Sequence, residues 1–86
     1  MGIKLKIFWK KDCPLCPNAK NIGKMVEDKI EVQYCNIDSV EGLSEACMLN
    51  VLSTPTIVML DNNNKEIEAW RGIIPELDEI KEKISD

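Results

Sequence analysis

Ile3-Lys4-Leu5-Lys6-Ile7-Phe8-Trp9-Lys10-Lys11-Asp12-Cys13-Pro14-Leu15-Cys16 is the stretch, from residue 3 to residue 16, on which the architecture turns. Ile3, Leu5 and Ile7 alternate with Lys4 and Lys6, so one face of an extended segment is apolar; Phe8 and Trp9 then make it apolar on both faces, which predicts a strand running into the interior. Beyond it, Ala19, Ile22, Gly23 and Val26 recur at helical spacing, with Lys20, Lys24 and Glu27 opposite. That periodicity predicts a helix over 14–28, with strand and helix meeting at Cys13.

Outward from this unit, Ile30, Val32, Tyr34 and Ile37 predict a second strand over 30–37. Asp38 and Ser39 follow, either able to cap a helix, and Asp38 with Glu41 has capping-box spacing. The helix carries Leu43, Ala46, Cys47 and Asn50 on one side, which makes Cys47 a small buried hydrophobe. Thr56 to Leu60 is a strand rich in branched residues, Asp61-Asn62-Asn63-Asn64 a turn, and Glu66 to Ala69 the returning strand. Trp70 shares parity with Glu66 and Glu68 and is expected to be partly exposed near Gly72. Pro75 opens a last helix with the stripe Leu77, Ile80 and Ile84. The alternation at Cys35 leaves its face open. The order is βαβαββα: a right-handed parallel crossover followed by a hairpin, hence an α/β fold with a four-stranded mixed sheet and three helices on its two faces.

A chain of 86 residues is expected to form a single domain over 1–86, with a core too small to enclose a ligand and its chemistry at the surface. With 44% hydrophobic and 30% charged residues it folds in water. The longest aliphatic run, Ile57 to Leu60, is far short of the roughly 20 residues that span a bilayer, and Lys4 and Lys6 break any signal-like segment. The expected address is the cytoplasm, with no membrane partner. A net charge of -4 gives no electrostatic reason to hold nucleic acid. The charge is uneven: residues 1–30 carry seven Lys against three acidic residues, and residues 31–86 four basic against twelve acidic. The positive part contains Cys13 and Cys16; an ordinary solvated Lys-rich surface explains it equally well.

Cys13 and Cys16 lie three residues apart across a helix start, where one turn brings their Cα atoms within the roughly 4.4 to 6.8 Å that a disulfide needs. Backbone N–H groups and the helix dipole there favour a thiolate, and Pro14 suits a first helical position. Lowering a thiol pKa from about 8.5 to about 7 raises its thiolate fraction at neutral pH from roughly 3% to half. Weakened nucleophilicity takes back about sixfold of that roughly fifteenfold gain, while the sulfur becomes a better leaving group. The placement therefore favours redox cycling. Lys10 and Lys11 push the pKa down and Asp12 pushes it up. Three other readings compete: half a zinc site, although there is no His; a soft-metal carrier, although Pro14 stiffens the loop; and two inert core thiols, although the flanking residues are polar.

The first strand with Phe8 and Trp9, Cys13-Pro14-Leu15-Cys16, Thr54-Pro55-Thr56 opening a later strand, and Gly72 together resemble the thioredoxin superfamily over nearly the whole chain. The run from Cys13 to Lys20 is most similar to the compact glutaredoxin-like thioredoxins of archaea and some anaerobic bacteria. The resemblance implies a thioredoxin-like fold and a monomeric protein-disulfide reductase that needs no cofactor. In it Cys13 is the nucleophile and Cys16 the resolving thiol. Thr54-Pro55 matches the cis-proline, which with Pro14 and Gly72 borders an extended substrate, and a thioredoxin-reductase-like enzyme returns the electrons. The chain departs from the family pattern in four places. Ile7 stands where larger relatives have a buried Asp, and Asp12 replaces the usual aromatic residue. Pro17 adds a second proline to the helix's opening turn, which is expected to be irregular because Pro17 cannot donate. Trp70-Arg71-Gly72-Ile73-Ile74 replaces the Gly-Gly-x-Asp-like segment of glutathione-binding relatives.

Overall fold

The computed structural model describes residues 2–85. Its elements are β1 (Lys4–Trp9), α1 (Cys16–Val26), β2 (Glu31–Asn36), α2 (Val40–Met48), β3 (Thr56–Leu60), β4 (Glu66–Arg71) and α3 (Leu77–Ser85). The sheet order is β2-β1-β3-β4, with β1 parallel to β2 and antiparallel to β3, and β4 antiparallel to β3. This is the expected α/β arrangement, a mixed sheet between helices.

Alternation along β1 divides the core. Leu5 and Ile7 face α1 and α3, where they meet Ala19, Val26, Ile57, Met59, Trp70 and Ile80. Phe8 faces α2 with Val58, Leu60, Ala46 and Val51. β3 is apolar from Ile57 to Leu60 because both of its faces are covered, and all five of its residues, Thr56 included, are buried. Lys4 and Lys6 lie on the α2 side of β1, and Lys6 forms an ion pair with Glu45.

Five local expectations change. The helix expected over 14–28 begins at Cys16, not at Pro14. Pro17 has no N–H to donate to the carbonyl of Cys13, so the α-helical ladder cannot start one turn earlier. Residues 14 and 15 form a turn instead, closed by the Cys16 N–H donating to the Cys13 carbonyl at 3.3 Å, and the helical proline is Pro17.

At the start of α2 the cap is Ser39, whose Oγ accepts from the Gly42 N–H at 3.0 Å; Asp38 forms no capping box with Glu41. α2 buries Gly42 and Ala46 rather than the Leu43–Cys47 stripe, leaving Leu43 at 53% exposure and Cys47 exposed. Gly42 decides this orientation, because a Cβ there would overlap the backbone carbonyl of Asn36, and the helix approaches β2 on its smallest residue.

Trp70 is only 3% exposed. A bulge between β3 and β4 pairs Met59 with Glu68 but Leu60 with Glu66, which breaks the parity linking Trp70 to Glu66; Trp70 stays on the face of Glu68, and α3 covers that face, its Lys83 pairing with Glu68. Pro75 precedes α3 by two residues rather than opening it. Among the described residues no helix is long and apolar enough to cross a membrane.

Candidate active site

The sheet register collects the candidate residues at one end of the molecule. Phe8 pairs with Thr56 and Thr56 with Arg71, so the exit of β1, the entry of β3 and the exit of β4 lie side by side. The loop carrying Cys13 leaves the first, Thr54 and Pro55 lead into the second, and Gly72 follows the third.

Cys13 and Cys16 are joined by a disulfide, with their Cα atoms 5.4 Å apart. Asp12 makes the turn into the motif in the left-handed region at φ 64°, which Asp tolerates better than most residues. Cys16 is 2% exposed, held beneath the first turn of α1. Cys13 is partly exposed. The two sulfurs of one bond are therefore presented unequally to solvent.

The Thr54–Pro55 peptide is cis, and Pro55 is buried at the head of β3. The Gly72 N–H donates to the Pro55 carbonyl at 2.9 Å, tying the two loops together. Gly72 sits at φ 78°, a region that favours glycine. Pro14 is exposed beside the disulfide.

Sequence reasoning assigned Lys20 to a solvated helix face and gave Trp9 no role beyond its strand. Both border an open cavity of about 390 Å³ that also touches Lys10, Cys13 and Cys16. The Lys20 Nζ sits 3.4 Å from the centroid of the Trp9 ring. The signal was available: Lys20 is four residues beyond Cys16, which puts both on one side of a helix. Two buried polar atoms flank this end without a hydrogen-bond partner among the described residues, Trp9 Nε1 and Thr54 Oγ1.

The other two cysteines stand apart from the motif. Cys35 is half-buried on β2, and burial raises its pKa, with Lys6 lowering it and Glu45 raising it to smaller extents. Among the described residues no group of three or more His, Cys, Asp or Glu side chains is placed to hold a metal ion.

No family model matches the sequence. A thioredoxin from Methanocaldococcus jannaschii is 33% identical over 61 residues, which cover 66% of this chain and 69% of that one. Among solved structures, a mutant thioredoxin from Halobacterium salinarum superposes with a TM-score of 0.82 at 20% identity, covering 98% of this chain and 73% of that one. Thioredoxin-2 from the malaria parasite gives 0.80 at 20% identity over 99% and 84% of the two chains. The structural likenesses establish the fold, and the sequence likeness, together with the disulfide in its Cys-x-x-Cys motif, carries the family: the chain belongs to the thioredoxin superfamily and is a thiol-disulfide oxidoreductase.

Proposed function

We propose that this chain acts as a monomeric, single-domain reductase of protein disulfides in the cytoplasm, with Cys13 as the attacking sulfur and Cys16 as the resolving one. The observation that carries the assignment is their unequal exposure: a substrate can reach the partly exposed Cys13, while Cys16 is 2% exposed. The Cys13 thiolate attacks one sulfur of the substrate disulfide, forming a mixed disulfide and releasing the other substrate sulfur as a thiolate, which takes up a proton. Cys16, as thiolate, then attacks the Cys13 Sγ. The Cys13–Cys16 disulfide closes, the second substrate thiolate leaves and is protonated, and two electrons and two protons have passed to the substrate.

Thr54, Pro55, Pro14 and Gly72 border the substrate chain in this reading, supported by their common position at one end of the sheet. Ile7 is fully buried and apolar, so no carboxylate at that position relays the Cys16 proton, which leaves through the cavity beside the disulfide. A thioredoxin-reductase-like enzyme restores the dithiol, consistent with the departure of residues 70–74 from the glutathione-binding pattern.

The test is reduction of an insulin-type disulfide by the wild type, Cys13→Ser and Cys16→Ser. Cys13→Ser abolishes turnover, and Cys16→Ser accumulates a mixed disulfide at Cys13. Undiminished turnover in both variants overturns the assignment.

A further inference from the structure

We infer that Lys20, poised over Trp9, makes the cavity beside the disulfide a carboxylate subsite, so that the chain prefers disulfides flanked by acidic groups. The inference rests on the oxidoreductase reading and names its substrate class. Lys20 reaches the same cavity as Cys13 and Cys16. Its ammonium group lies 3.4 Å from the Trp9 ring centroid, and a ring quadrupole orients a cation without neutralising it.

Among the described residues no ion pair joins Lys20 or Lys10 to a carboxylate; the pairs present engage Lys6, Arg71 and Lys83. Asp12 is the cavity's one acidic residue against the two lysines, and Lys11 stands next to it in the chain. This wall is positive on a chain whose net charge is -4. A concave site lined mainly by one sign of charge draws in complementary charge locally, because low-dielectric walls focus the field. A substrate carboxylate entering beside Cys13 gains an ammonium partner already held in position.

The test uses pre-reduced protein in single-turnover mixing with three disulfide peptides of equal length, carrying Asp, Asn or Lys beside the disulfide. The wild type is expected to reduce the Asp peptide about tenfold faster than the Lys peptide, as a water-screened charge pair at contact distance allows. Raising salt from about 0.01 M to about 1 M, which shrinks the Debye length from about 30 Å to about 3 Å, should bring that ratio close to one. Lys20→Gln should lower the ratio of Asp-peptide to Asn-peptide rates about three- to fivefold, whatever it does to the common rate, while Lys20→Arg keeps the preference. Lys29→Gln, the same charge change at a cavity that does not touch the disulfide, serves as control and should leave the ratio intact.

A small dicarboxylate disulfide compared with its diamide separates two sources of the same chemistry. A Lys20-dependent ratio there extends the subsite to free acids, a ratio confined to peptides assigns it to polypeptide substrates, and both uphold the inference. Equal rates for the three peptides, or a preference undiminished in Lys20→Gln, overturn it while leaving the oxidoreductase reading intact. Failure of the wild type to reduce any peptide strikes at that underlying reading instead.

Discussion

The indole N–H of Trp70 donates to a carboxylate oxygen of Glu79 at 3.0 Å, fastening α3 to the edge strand of the sheet. The bond satisfies a donor on a residue that is 3% exposed, beneath a helix held otherwise by Leu77, Ile80 and Ile84. Glu79→Ala leaves the buried N–H without an acceptor and should cost about 1–3 kcal/mol. For a domain of this size each kcal/mol lowers Tm by roughly 4–8 °C. Glu79→Gln keeps an acceptor and should lose less than half as much. Equal melting curves for wild type and Glu79→Ala, followed by near-UV circular dichroism, would contradict the role given to this bond.

Two glycines should fail for different reasons. Gly42→Ala drives a methyl group into the Asn36 carbonyl, backbone against backbone, and should lower stability by about 1–3 kcal/mol. Gly72→Ala meets open space, but at φ 78° it pays the left-handed penalty of about 1–2 kcal/mol. Urea unfolding separates them: Gly72→Asn should recover part of the loss at 72, whereas Gly42→Asn should be no better than Gly42→Ala.

Asp61 accepts hydrogen bonds from the backbone N–H groups of Lys65 at 3.0 Å and Asn63 at 2.8 Å, which lower its pKa below the usual carboxylate value of 3.8. A carboxyl whose pKa is lower folded than unfolded contributes stability that is present above the unfolded pKa and lost as pH falls through the folded one. Hairpin stability should therefore decline as pH drops from about 5 to below about 3. Asp61→Asn, which keeps the acceptor without the charge, should remove that component of the slope in acid-unfolding curves.

Cys47 and Cys35 should separate by reactivity. With the Cys13–Cys16 disulfide intact, iodoacetamide at mildly alkaline pH should label exposed Cys47 first. Burial raises the Cys35 pKa, so its thiolate fraction stays low and its labelling rate should climb only as pH rises beyond the ordinary thiol range. Peptide mapping showing Cys35 modified first would refute this order.

The strands and the Cys-x-x-Cys motif were legible because their signals are local. Leu5 and Ile7 against Lys4 and Lys6 record two different environments, and the unbroken Ile57 to Leu60 run records burial on both faces. What escaped depended on contacts between elements. Leu43 and Cys47 form the more apolar stripe of α2, yet the helix docks through Gly42 and Ala46, because close approach to Asn36 decides the face. Trp70 was misread because α3 covers the face it shares with Glu68, a contact that parity along the strand does not record. The irregular start of α1 was legible in Pro17, which lacks an N–H, and the side of the helix that Lys20 takes was legible in its spacing from Cys16; that Trp9 lies beneath Lys20 was not.

The Asp61–Lys65 turn closes the end of β3 remote from Pro55. The five extended residues between them hold Pro55 and Asp61 about 20 Å apart, six steps of about 3.3 Å. Exposed Asn63 in that turn is thus a natural mooring point, where a surface, a dye or a fused partner could be tethered with the reactive sulfurs still turned toward their clients.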